Sequence, residues 1–221
     1  AADKPIRIER GGAEPWTNIE TRAGAELRLA HTTVEGGGDP NGGRLTQYGM
    51  IDVRGDQDLP PQPIFFADHV TLAGSGSLGV WLREGGSFAT GSTDLTITGG
   101  AGFPVLAWTN AAGSLPTGKY TGNATDEIFL PAMDTRDAIG ADMTLFNRGV
   151  PYRVGGDTGG TSLRVGVTKT SVHVLTIEPG VTMRFAKRTR LLLDADANEP
   201  TGALVAEGTA AAVERVPESL T

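Results

Sequence analysis

Short apolar runs separated by single tight turns constrain this chain more than any other feature. Leu175–Phe185 reads LTIEPGVTMRF, with two strand-like pieces flanking Glu-Pro-Gly. The same rhythm recurs in IRIE (Ile6–Glu9), ELRLAHTTVE (Glu26–Glu35), MIDVR (Met50–Arg54), PIFFADHVTLAG (Pro63–Gly74), GVWLRE (Gly79–Glu84) and DLTITG (Asp94–Gly99). It continues through PVLAW (Pro104–Trp108), EIFL (Glu127–Leu130), MTLF (Met143–Phe146), PYRVG (Pro151–Gly155), SLRVG (Ser162–Gly166), HVLTIE, RLLLD and GALVAEG. Many of these runs alternate apolar and polar residues, as at Leu27 and Leu29, Leu95 and Ile97, or Val181, Met183 and Phe185. Successive side chains of a strand point to opposite faces, so period two marks strands with one buried face. The chain is therefore predicted to be all-β.

Helical signal is confined to two short stretches. Thr135–Met143 has the composition for a helical turn or two, and Thr209–Val216 places helix formers behind a threonine N-cap, but either stretch suits loop or strand equally. Gly36–Gly43 and Gly55–Pro63 are loop-forming, and Asn110–Asp126 reads as a long polar excursion. Glycine, at 32 residues, is about twice its usual share and supplies positive φ at many turns. Hairpin chemistry is scarce, because Asn-Gly occurs only at Asn41–Gly42. Single turns between chemically similar runs suit a stack of parallel strands with a period of roughly 20–30 residues. Divided by that period, 221 residues make about eight coils in a single domain spanning residues 1–221.

Composition also narrows the function. The formal net charge of −7 repels nucleic acid and anionic lipid, so no nucleic-acid partner is expected. No apolar run approaches the roughly 20 residues of a membrane-spanning helix, so no membrane insertion is expected. Cysteine is absent, which excludes disulfides and thiolate metal sites.

The phrase LTIEPGVTMRF, followed by RLLLDADANEPTGALVAEGTAAA, resembles a unit of bacterial right-handed parallel β-helix surface and exported proteins. That unit runs LTI-x-PGVT-x-x-F, then an apolar strand, then G-x-L-x-A-x-GT. HTTVEGGG and PIRIERGGAEPW also look like segments of that family. The likeness is specific at Leu175–Ala211 and Pro5–Gly38. Between Gly55 and Thr170 only the rhythm agrees. After Gly208-Thr209 the chain lacks the family's usual Pro-Ile strand start. The resemblance implies a right-handed parallel β-helix with long loops on one side and a location outside the cell or at its surface.

Candidate site residues fall into two groups. Trp16, Trp108 and Tyr120 stand in loop-like sequence, where aromatic rings stack on sugar faces. Trp81 is expected to be packed. The acids Asp52, Asp56 and Asp58 lie close together in IDVRGDQD, and Asp194 and Asp196 with Glu199 form a second set. Polysaccharide lyases and hydrolases built on this fold need clustered acids, about 5–9 Å apart in a hydrolase. Solvated loop acids look the same in sequence. His31, His69 and His173 show no metal-ligand spacing and are read as structural. No catalytic residue, metal or cofactor is expected.

The function expected from these observations is a non-catalytic module for adhesion, spacing or glycan binding, with a polysaccharide or cell-surface glycan as partner. The alternative is a polysaccharide lyase or glycoside hydrolase on the same fold. Both termini sit at one phase of the repeat, which predicts a piece of a longer protein, or ends that are covered or self-associate end to end.

Overall fold

The computed structural model describes residues 4–39, 48–56, 60–133, 137–156, 161–166, 171–196 and 199–209. In chain order the strands are β1 (Ile6–Ile8), β2 (Ile19–Thr21), β3 (Glu26–Glu35), β4 (Gly49–Arg54), β5 (Ile64–Ala73), β6 (Leu78–Arg83) and β7 (Ser87–Phe88). Next come β8 (Thr93–Thr98), β9 (Val105–Ala107), β10 (Gly118–Lys119), β11 (Ile128–Leu130), β12 (Met143–Leu145) and β13 (Tyr152–Val154). The last are β14 (Ser162–Val165), β15 (His173–Ile177), β16 (Met183–Phe185), β17 (Arg190–Leu193), β18 (Ala195–Asp196), β19 (Glu199–Pro200) and β20 (Gly202–Ala206).

The class is all-β, and the pairing is parallel throughout except between β18 and β19. One long sheet runs β2-β4-β6-β9-β11-β13-β16. A second, bent sheet runs β1-β3-β5-β8-β10, with β7 beside β5. Smaller sheets join β12-β15-β20 and β14-β17. The chain alternates between sheets, so each parallel partner lies 23 to 38 residues away rather than next in sequence. Parallel partners require such a crossover, and here each crossover carries a strand of another sheet.

Alternation decides which residues face inward. Ile19, Ile51, Val80, Val105, Ile128, Tyr152 and Met183 stand side by side across the long sheet. Two residues on in each strand, Val53, Leu82, Ala107, Leu130 and Val154 make a second buried row. Both rows face the side chains of the bent sheet, including Val34, Phe65, Val70, Leu72, Leu95 and Ile97. Each fully buried Val, Leu or Ile contributes about 1.5–3 kcal/mol.

The turns stack as the strands do. Gly36, Gly74 and Gly99 follow equivalent strand ends with φ of 69°, 63° and 68°. Each N–H donates one strand further on: Gly36 to Ala73 O, Gly74 to Thr98 O and Gly99 to Gly122 O. The side chain of Asn123 closes this stack by accepting from Gly100 N and donating to Ile97 O. Its amide is thus already engaged in the glycosylation-like triplet Asn123-Ala124-Thr125.

Of the readings left open for Thr135–Met143, helix is excluded over its described part: Ile139 bridges Val165 in parallel fashion and Met143 opens β12. The one helix among the described residues is a 3₁₀ turn at Thr109–Ser114, which sequence did not indicate. The polar excursion Asn110–Asp126 contains β10, which adds to the bent sheet beside β8. Thr209 lies at the end of the described residues, and the rest of Thr209–Val216 lies outside them. No helix among the described residues is long and apolar enough to cross a membrane.

The apolar residues of the C-terminal strands are only partly buried. Leu175 is buried, and Ile177, Val181, Met183, Leu192 and Leu204 are half-buried. Phe185 is 42% and Val205 40% exposed. The reason is position: β16 ends the long sheet and β20 ends its own sheet, so no further strand among the described residues covers them.

Candidate ligand-binding face

The outward side of the long sheet carries one side chain per strand in a single file: Glu20, Asp52, Trp81, Leu106, Phe129, Arg153 and Arg184. Neighbouring strands lie about 4.8 Å apart, so this file is a ladder of regular pitch. Its middle is apolar and aromatic, and Trp81, Leu106 and Phe129 are all half-buried on an otherwise wet face. Phe103 stacks on Phe129 with ring centroids 5.1 Å apart and 26° between planes. The Arg83 guanidinium lies 4.0 Å over the Trp81 ring.

Charged groups close both ends. Asp52 is 0% exposed, and Arg83 reaches it twice, with Nε 3.1 Å from Oδ1 and an Nη 2.8 Å from Oδ2. Burial nevertheless raises the Asp52 carboxyl above its ordinary value, with Arg83 pulling the other way. Arg54 pairs with Glu84 at 3.0 Å beside it. At the other end Glu127 hydrogen-bonds Arg184 and lies 4.0 Å from Arg153.

The residues singled out in the sequence are placed differently. Trp108 follows β9 and is buried, its backbone N–H donating to Leu82 O. Tyr120 follows β10 and is 0% exposed, its hydroxyl donating to Pro116 O at 2.7 Å. Neither offers a ring face to a ligand, because both side chains are packed into the protein beside the ends of β9 and β10. Trp16 is half-buried. Its indole N–H donates to Glu35 O and its ring covers Gly37. Trp81, expected to be packed, is half-buried with Arg83 over its ring, and stands at the centre of the ladder.

The acids are also separated. Asp52 belongs to β4 rather than to a loop. Asp56 is half-buried in the turn after it, where its backbone and the Gln62 side chain hold each other. Asp58 lies outside the described residues. Asp194 follows β17 and accepts from Arg164 of β14. Asp196 sits on β18, opposite Glu199.

Two clusters were missed in the sequence. His31 of β3 and His69 of β5 stack at one corner with ring centroids 5.0 Å apart, flanked by Asp68 and Asp94. The Asp68 hydrogen bond holds the His69 imidazolium above its ordinary value. The signal lay in aligning ELRLAHTTVEG with IFFADHVTLAG, which superposes the two histidines. The second is Asp137, 1% exposed, which accepts from Thr109 N and Oγ while its Oδ1 has no partner. Burial raises its carboxyl above the usual range. Nearby, a cleft of about 610 Å³ is lined by Asn110, Ser114, Ile139, Asp142, Met143 and Phe146. The one carboxylate among its described lining residues, Asp142, already accepts from Val174 N.

The fold and this face define an all-β protein of stacked parallel strands with a linear aromatic and charged surface. Compared with known protein families, characterised proteins and solved structures, the chain has no match.

Proposed function

We propose that this chain is a right-handed parallel β-helix module of an exported or cell-surface protein that binds an elongated glycan without cleaving it. The observation that carries the reading is the single-file ladder on the outer face of the long sheet. A polymer with a repeating unit finds one contact per strand or per pair of strands, and sugar rings lie flat on Trp81 and Phe129. Arg153 and Arg184 beside the apolar middle supply the polar groups that orient sugar hydroxyls or acid groups.

The finer description of the fold rests on the alternation between sheets, which suits a winding of about seven turns, one per strand of the long sheet and one fewer than length suggests. Parallel crossovers are right-handed in about 98% of cases, which supports the hand. The non-catalytic reading rests on the engagement of the candidate acids. Arg83 holds Asp52 and Arg164 holds Asp194, whereas a hydrolase needs an accessible acid and a second carboxylate facing one substrate.

The test is binding of the full chain to immobilised neutral, uronic-acid and sulfated polysaccharides, with release of oligosaccharides assayed in parallel. Saturable binding to one class is expected, weakened at least tenfold by Trp81→Ala and by Phe129→Ala. Thr71→Ala, on the bent sheet, leaves it unchanged. Binding to none of these, or binding indifferent to Trp81 and Phe129, overturns the proposal. Release of shortened or unsaturated products establishes the enzyme alternative instead.

A further inference from the structure

We propose that His31, Asp68 and His69 form a binding site for one divalent first-row transition cation, with Asp94 orienting His69. The site is built by coil pairing. Ala30 pairs with Asp68 and Thr32 with Val70, so the residues between them, His31 and His69, occupy the same corner of adjacent windings. Asp94 occupies that corner on the next strand, between the Asp68–Thr93 and Val70–Leu95 pairs. All three corners have a left-handed backbone, with φ of 47°, 52° and 50°. Such a backbone is uncommon for residues other than glycine, and the strands on both sides hold it fixed. The two imidazoles are thereby set side by side before any ligand arrives.

Distances fit a cation. One ligand atom from each of His31, Asp68 and His69 lies within 4.8 Å of the others. Tetrahedral ligands at about 2.0–2.1 Å from a metal are roughly 3.3 Å apart, so small rotations of exposed side chains close the set. His69 Nδ1 is 2.6 Å from Asp68 Oδ1, and its Nε2 is 3.2 Å from Asp94 Oδ2. With the cation between Nδ1 and Asp68, the Nε2–H donates to Asp94. A carboxylate behind a metal-bound imidazole fixes its tautomer and orientation.

Donor chemistry selects the ion. Two imidazoles with one carboxylate favour Zn²⁺, Cu²⁺ or Ni²⁺, whereas Ca²⁺ and Mg²⁺ prefer all-oxygen sites. The His69 side chain is 56% exposed, which leaves room for water or an outside ligand on the ion. The ion ties β3 to β5, so binding raises thermal stability.

The test is calorimetric titration of the metal-stripped full chain with Zn²⁺, and with Ca²⁺ for comparison. One equivalent of Zn²⁺ is expected to bind saturably in the micromolar range and raise Tm, with no Ca²⁺ response. Asparagine tolerates the left-handed corner, so His31→Asn and His69→Asn keep the fold. Each is expected to weaken Zn²⁺ at least tenfold, while His173→Asn does not. Independently of variant stability, substoichiometric Cu²⁺ should broaden the imidazole proton resonances of His31 and His69 before those of His173. Absence of saturable Zn²⁺ binding, undiminished binding after His31→Asn and His69→Asn, or Cu²⁺ broadening confined to His173 overturns the proposal.

Discussion

Asp52 shows how a single residue changes meaning once its strand is placed. In sequence it is one of three acids near a turn. In the fold it is a buried carboxylate whose charge is met by Arg83. Removing one partner of a buried pair strands the other, so Arg83→Ala should cost about 3–5 kcal/mol in urea unfolding. The double change Asp52→Leu with Arg83→Met should cost far less, and equal losses would show that the charge is not stranded. Asp137 gives a second test. Burial favours its protonated form in the fold, so the associated stability is complete below the ordinary value of 3.8. That stability is lost as pH rises through the higher folded value. Asp137→Asn cannot ionise, so its Tm should decline less than the wild type's between about pH 4 and pH 7. A wild-type profile as flat as the variant's would contradict the assignment. None of this was legible beforehand, because exposure is a property of neighbouring strands.

At the scale of elements the sequence was more informative. Period-two alternation located β3, β5, β8 and β15 closely, since each has one wet face. It could not tell a strand covered on both sides in the stack from one at its edge. Phe65 and Phe185 illustrate the difference. Phe65 is buried and packs on Phe88 with ring centroids 5.1 Å apart. Phe65→Ala should therefore cost about 3–5 kcal/mol. Phe185 follows the same alternation, but β16 has no strand beyond it, so Phe185→Ala should cost roughly 1–2 kcal/mol. Chemical denaturation of both variants checks the order, and a larger loss at Phe185 would mean that the end of the long sheet is covered. Short elements such as β10 escaped notice because Gly118–Lys119 has no apolar pattern; its place is set by the partner strand β8.

For the whole molecule, the parallel register of the strands creates both the ladder and the histidine corner. Trp81, Leu106 and Phe129 are far apart in sequence and become neighbours only through register, as do His31 and His69. A linear reading finds the rhythm of such a chain and misses the sites written across it. Register is therefore the central claim, and cysteine pairs probe it directly because the chain has no cysteine of its own. Thr71 and Thr96 face each other on β5 and β8, while Thr33 lies one strand further away on β3. Adjacent strands are about 4.8 Å apart and alternate ones roughly 10 Å, against a disulfide reach of about 4.4–6.8 Å between Cα atoms. Mild oxidation of Thr71→Cys/Thr96→Cys, read by mass spectrometry, should give an intramolecular disulfide, and Thr33→Cys/Thr96→Cys should give none. A disulfide in the second pair and not the first would contradict the parallel register on which the whole account stands.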